Sequence, residues 1–240
     1  MSNAEDLVVG VIGGLGPEAT LDFLGKVLVH SEAKTDQDHI HLIIENNPKT
    51  PNRNDAISGK GPSPGPALAA MAMALDRAGA NFIVMACNTA HAFEADIRAA
   101  TRKPFISLID EVVNEVLNMY QNARRVGLLA AQGCLDSKIY ETAFEPHGIE
   151  VLRLDAASQK LFMELLYRIK SGDRGAGVRT SMRELGKKLI AMGADVLVAG
   201  CTEVPLVLKT GENTRTLIDS TDVLARCCVK YARKLKPLPV

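Results

Sequence analysis

A twelve-residue pattern occurs twice in this chain, in the same frame. Ala78-Gly79-Ala80-Asn81-Phe82-Ile83-Val84-Met85-Ala86-Cys87-Asn88-Thr89 is matched by Met192-Gly193-Ala194-Asp195-Val196-Leu197-Val198-Ala199-Gly200-Cys201-Thr202-Glu203. The Gly-Ala pair, Val84 and Cys87 return as Gly193-Ala194, Val198 and Cys201, each 114 positions on. A second echo lies upstream of each: Val9-Gly10-Val11-Ile12-Gly13-Gly14-Leu15-Gly16 parallels Val126-Gly127-Leu128-Leu129-Ala130-Ala131-Gln132-Gly133. Two unrelated loops seldom share this much at nearly one offset. The chain therefore reads as two similar halves, each running strand, turn, helix, and later a strand that ends at a cysteine.

Short β-branched runs alternate with longer amphipathic stretches, the signature of βαβ units and a parallel sheet. Strands are predicted over Leu7 to Ile12, Ile40 to Glu45, Phe82 to Met85, Phe105 to Ser107, Arg125 to Leu129, Glu150 to Leu154 and Val196 to Ala199. Helices are predicted over Pro66 to Ala78, Ala90 to Ala100, Asp110 to Gln121, Asp136 to Phe144, Ser158 to Ser171 and Gly177 to Met192, with Pro17 opening an earlier one. The fold class is α/β, with a mainly parallel sheet flanked by helices in each half. The segment Asn46 to Gly65, rich in Asn, Pro and Gly, reads as one long binding loop or lid.

Composition narrows the function. A chain of 240 residues, 47% hydrophobic, can bury one large core or two small ones, and the repeat favours two. Lys and Arg total 28, as do Asp and Glu, and no basic stretch occurs, so the electrostatic footprint of a nucleic-acid binder is missing. No apolar run reaches the roughly 18 residues of a bilayer span. Glu5 and Asp6 stand where a signal peptide would be basic, which points to the cytoplasm. Met1 to Ala4 read in part as an expression remnant and carry no argument. Five cysteines in a chain of this size argue against a disulfide framework. No Cys-x-x-Cys occurs, and Cys87 with His91 lacks a second pair, so no metal site is expected.

In an open parallel sheet the ligand crevice lies beyond the carboxyl ends of the strands, and Cys87 and Cys201 both occupy that position. A lone cysteine there is ordinarily an inert buried thiol. Two at one place in a repeat suggest a pair. Each is followed by residues that open a helix, whose free N–H groups would lower a thiol pKa and attract a carboxylate. If the halves face each other, the thiols flank one molecule. Such an arrangement suits inversion at the α-carbon of an amino acid, one thiolate removing a proton and the other thiol supplying one. No cofactor is then required, provided that aimed donors stabilise the carbanion. Cys134, Cys227 and Cys228 have no comparable placement and read as packing.

At these residues the chain resembles the aspartate/glutamate racemase superfamily, most closely its aspartate racemase branch. Four blocks carry the resemblance over nearly the whole length: Ile12 to Thr20, Asn46 to Arg53, Cys87 to His91 and Gly200 to Pro205. It implies two pseudo-symmetric α/β lobes with the site in the cleft between them. Residues 1–115 would form the first lobe, with a C-terminal helix in 216–240 returning to it, and 116–215 the second. It also implies a reaction independent of pyridoxal phosphate and metal, with Cys87 and Cys201 as acid and base. Arg53 and Lys170 would each bind a substrate carboxylate, a combination suited to dianionic aspartate. Gly14, Leu15, Asn88, Thr89, Gln132, Thr202 and Glu203 would complete the substrate shell. Glu203 stands where glutamate racemases carry a histidine, which favours the aspartate branch. Dimers are frequent in the family, so a homodimer is a possible assembly.

One departure bears on substrate. The family's second-half turn commonly reads Ala-Thr-x-Gly-Thr, whereas this chain has Ala130-Ala131-Gln132-Gly133-Cys134, without the two hydroxyls. A broad-specificity amino acid racemase is therefore an alternative, as are a glutamate or hydantoin racemase, a decarboxylase and a cis-trans isomerase. A binding or regulatory protein on the same fold is a further reading. Gly14-Leu15-Gly16-Pro17-Glu18-Ala19 also fits a dinucleotide fingerprint. An oxidoreductase of that kind would need an acidic residue about 20 positions on. Glu45 comes later than that, and the cysteine repeat would have no role.

Overall fold

The structure is a computed structural model and describes residues 6–211 and 215–239. Glu5 and the four residues before it lie outside that range. Two four-stranded parallel sheets are present, ordered β2-β1-β3-β4 and β6-β5-β7-β8. The first comprises β1 (Val9–Gly13), β2 (Leu42–Asn46), β3 (Phe82–Met85) and β4 (Phe105–Ile106). The second comprises β5 (Arg125–Ala130), β6 (Glu150–Leu152), β7 (Val196–Gly200) and β8 (Leu217–Asp219). In each, the chain leaves the founding strand toward one edge and returns on its other side, so the order reverses between β1 and β3 and between β5 and β7. Both cysteines follow the strand that lies across this reversal, where α/β sheets open a crevice.

Strands and helices alternate because each apolar run is too short to be anything but a strand covered on both faces. The helices are α1 (Pro17–Ser31), α2 (Arg53–Ile57), α3 (Gly65–Arg77), α4 (Glu94–Ala100) and α5 (Leu108–Met119) in the first half. In the second come α6 (Gln132–Asp136), α7 (Ile139–Phe144), α8 (Ala156–Lys170), α9 (Ala176–Ala191) and α10 (Ser220–Ala232). Alternate residues of the strands face two layers. Val9, Val11, Phe82 and Val84 of one sheet, and Val126, Leu128, Val196 and Val198 of the other, belong to a single core completed by α5, α7 and α10. Ile12, Ile83 and Met85 face an outer core under α3 and α4. Leu129, Leu197 and Ala199 face its counterpart under α8 and α9.

The repeat is preserved at the level of single contacts. A Cβ on Gly10 would fall 2.9 Å from Ala80 Cβ and 3.1 Å from Leu75 Cβ. One on Gly127 would fall 2.9 Å from Leu189 Cβ and 3.0 Å from Ala194 Cβ, the equivalent pair. Each founding strand thus needs a glycine where the helix before the cysteine strand crosses it.

Three expectations need correction, and one strand is additional. Asn46 to Gly65 is not loop throughout: Asn52 Oδ1 accepts from Asn54 N at 2.9 Å and starts the short helix α2. Ala90 to Ala100 is a 3₁₀ turn, Thr89–Phe93, followed by α4, because the backbone leaves helical geometry at Phe93. The Asp136 to Phe144 helix is split at Lys138, whose φ of 53° is left-handed. Strand β8 carries too short an apolar run to be seen in the sequence; its place comes from pairing with β7.

The last helix crosses back. Asp219, at the end of β8, caps α10 by accepting from Thr221 N at 2.9 Å and takes a 2.6 Å ion pair from Lys26 of α1. His30 of α1 meets Asp222 at 2.8 Å, and Arg233 donates to Ser31 O at 2.6 Å.

Candidate active site

Residues of both halves converge at the carboxyl ends of the two sheets. A cleft of about 290 Å³ is lined by Gly14, Leu15, Arg53, Tyr167, Lys170 and Glu203, among others. Gly14, at φ 81°, makes the turn after β1. A Cβ there would sit 2.5 Å from Asn47 N, so the loop after β2 can lie against it only because it is glycine. Gly16 is one place where the halves touch: a Cβ on it would clash with Glu203 Oε1 and fall 3.2 Å from Lys170 Nζ.

Arg53 is held by backbone carbonyls. Its guanidinium donates to Pro51 O at 2.9 Å and to Thr50 O at 3.3 Å, and it bonds Leu15 O as well. The next residue, Asn54, reaches the other half, its Oδ1 accepting from Gly133 N at 2.8 Å in the first turn of α6. Glu18 of α1 pairs with Arg174 beyond α8. These ties fix the rim of the cleft.

Cys201 lies one side chain behind the wall. Its Sγ donates to Glu203 Oε2 at 3.0 Å, Thr202 Oγ1 donates to the same oxygen at 3.2 Å, and Lys170 pairs with Oε1. Burial pushes the Cys201 thiol well up, the Glu203 carboxylate adds to this, and Lys170 opposes it. The expected helix N-terminus does not lower it: only the three-residue 3₁₀ turn Val204–Leu206 follows Cys201, and loss of water outweighs any dipole. Burial works against the charge on Lys170. The pull of Glu203, with that of either cysteine as a thiolate, outweighs it, so its pKa is raised. Cys87 and Cys201 are each 7% exposed, and each belongs to the outer core of its own half.

Beside Cys87, Asn88 and Thr89 are buried. Asn88 spends its amide across the halves, accepting from Tyr140 Oη at 2.6 Å and donating to Ser220 Oγ at 3.0 Å. His91 accepts from Leu108 N at 3.0 Å through Nε2, so Nδ1 carries the proton and donates to Cys87 O at 2.7 Å. Burial brings its pKa down to about 4, and the neutral ring pins the cysteine loop to the start of α5. Gln132 is exposed and bonded to Asp136 at 2.7 Å, outside the cleft lining. Tyr140, Ser220 and Asn54 were not foreseen, since nothing in their local sequence marks them. His91 was in view, and its fixed spacing after Cys87 was the available signal. The five cysteines are free, and among the described residues no three His, Cys, Asp or Glu side chains are grouped to hold a metal. No described helix is long and apolar enough to cross a membrane.

A family model for Asp/Glu/Hydantoin racemases matches residues 12–228, from the glycine turn to the last helix. The chain belongs to the Asp/Glu/Hydantoin racemase family. As a member, it is an isomerase of the amino acid racemase class. The broad specificity amino-acid racemase RacX of Bacillus subtilis is 26% identical over 231 residues, 92% of this chain and 96% of that one. The aspartate racemase of Picrophilus torridus superposes with a TM-score of 0.81 at 27% identity, covering 97% of this chain and 96% of that one. An aspartate racemase homologue from Pyrococcus horikoshii gives 0.74 at 27% identity, over 93% and 98%. The two-lobe α/β architecture is the racemase fold.

Proposed function

We propose that this racemase interconverts L- and D-aspartate, with Cys87 and Cys201 as acid and base on opposite faces of the α-carbon and no cofactor. The observation that carries the reading is the cleft itself: Arg53 of one half and Lys170 of the other line it together, and Glu203 links Lys170 to Cys201 behind the wall. Two cations on opposite halves suit two carboxylates, and their charge also stabilises the carbanion formed on deprotonation. Cys201, held protonated beside Glu203, is the resting acid; Cys87 then takes the proton, and the roles exchange in the reverse direction. The reading divides the chain into 1–115 with 216–240 as one lobe and 116–215 as the other.

Pairing of Lys170 with Glu203 supports a second reading, a broad-specificity racemase. Neutralised by Glu203, Lys170 attracts a side-chain carboxylate less. Ala131 and Cys134 also leave the second-half turn without hydroxyls. Chiral chromatography after incubating L-aspartate, L-glutamate and neutral L-amino acids with reduced protein separates the two. Aspartate is expected to racemise fastest; equal rates across neutral side chains would favour the second reading, and no D-enantiomer from any substrate would sink both. Cys87→Ala and Cys201→Ala should each cut the rate by at least about 10³-fold, as loss of an acid or base from a two-base reaction does.

A further inference from the structure

A buried chain of hydrogen bonds joins the two cysteine loops. Tyr140 Oη donates to Asn88 Oδ1 at 2.6 Å, Asn88 Nδ2 donates to Ser220 Oγ at 3.0 Å, and Ser220 Oγ donates to Ala199 O at 2.7 Å. Asn88 is the residue after Cys87, and Ala199 stands two before Cys201. The chain starts on α7, passes through the cysteine loop of the first half, and ends on β7 by way of the first residue of α10. All four residues are buried, with Tyr140, Ser220 and Ala199 at 0% exposure and Asn88 at 1%. Tyr140 also abuts the second loop: a Cβ on Gly200 would fall 3.3 Å from its ring.

We propose that Tyr140 and Ser220 are positioning residues that hold Asn88, and with it Cys87, at a fixed separation from Cys201. The single hydrogen of Ser220 goes to Ala199 O, so Ser220 must accept from Asn88 Nδ2 and Oδ1 must face Tyr140, which fixes the amide in one orientation. At this depth the links are shielded from bulk solvent, and each is stronger than it would be in water. A two-thiol reaction demands this: a carbon must sit in reach of one sulfur while a second sulfur faces it from behind, and a misplacement near 1 Å costs about 10²-fold. Substrate carboxylates meet Arg53 and Lys170 instead, which the chain does not touch. Loss of a link should therefore lower kcat and spare KM. The inference rests on the two-thiol reading above.

Tyr140→Phe keeps the ring and removes one donor; Ser220→Ala removes the middle link from the opposite side, and Ser220→Thr keeps its hydroxyl. For Tyr140→Phe and Ser220→Ala we expect kcat to fall between about 10- and 100-fold with KM within about twofold of the parent, and Ser220→Thr to retain most activity. The second readout is the rate at which a three-carbon bis-electrophile bridges Cys87 to Cys201, followed by peptide mass mapping. Bridging should slow in the first two variants and persist in the third. A parent that neither bridges nor racemises would show that the two-thiol reading has failed. A parent that does both, with Tyr140→Phe and Ser220→Ala unchanged in kcat and bridging rate, or with KM rising in step with the loss of kcat, would overturn the positioning role alone. Should Tyr140→Phe not fold, Ser220→Ala against Ser220→Thr decides the matter.

Discussion

His91 shows how a residue marked by its spacing takes its role from the fold. Four positions after Cys87, it has near-ligand spacing, but without a second pair that spacing predicts no metal site. In the fold both ring nitrogens are taken, by the Cys87 carbonyl and the Leu108 N–H, at 3% exposure. Burial lowers its pKa from the ordinary 6.5 to about 4, so the unfolded chain binds a proton that the folded chain refuses between those values. The contribution of His91 to stability is expected to be complete above about pH 6.5 and to fall as the pH drops toward 4, by about 3 kcal/mol in all. Chemical denaturation at a series of pH values should show this slope in the parent and a flatter one in His91→Gln. An equal slope in both would mean that folding leaves the proton affinity of the imidazole unchanged. The cysteines themselves were legible because they repeat. Asn88 is expected in the substrate shell from its place beside Cys87; in the fold its amide serves Tyr140 and Ser220, partners that lie 52 and 132 positions away.

At the scale of elements, periodicity located what periodicity can describe. Phe82–Met85 and Arg125–Ala130 are long enough and apolar enough to announce themselves, and their neighbours differ from expectation by a residue or two at the ends. What escaped was whatever a distant contact creates. Strand β8 exists through pairing with β7, and α2 through the Asn52 cap inside a segment whose Pro and Gly content reads as loop. Helix α6 shows the same dependence. Its N-cap, Ala131, has no side chain to offer, and Asn54 of the other half accepts from Gly133 N instead. Asn54→Ala should leave that N–H unpaired at the junction and cost about 1 kcal/mol. Urea denaturation measures it, and a midpoint identical to the parent's would show that water replaces the amide without loss.

The whole molecule is more unified than its repeat suggests. Strands of both sheets contribute to one core with α10, and α10 itself is tied to α1 by Lys26 with Asp219 and His30 with Asp222. Leu224, at 0% exposure in that shared core, gives a direct test. Leu224→Ala should destabilise by about 2–5 kcal/mol. Calorimetry should still show one transition, with calorimetric and van't Hoff enthalpies equal, because neither sheet keeps its core without the other. Two separated transitions would mean lobes that fold independently.

By itself the sequence determined the α/β class, the duplication, the two thiols at equivalent strand ends and the glycine-containing turns after the founding strands. Those features are local: they follow from apolar runs, spacing and the lack of a Cβ, and a repeat prints them twice. Only the tertiary structure decided that Glu203 stands between Cys201 and Lys170, that burial raises rather than lowers the Cys201 thiol, and that Tyr140 and Ser220 bind the two cysteine loops together. Those depend on which groups lose water and which partners they meet across the halves, and no spacing along the chain records either.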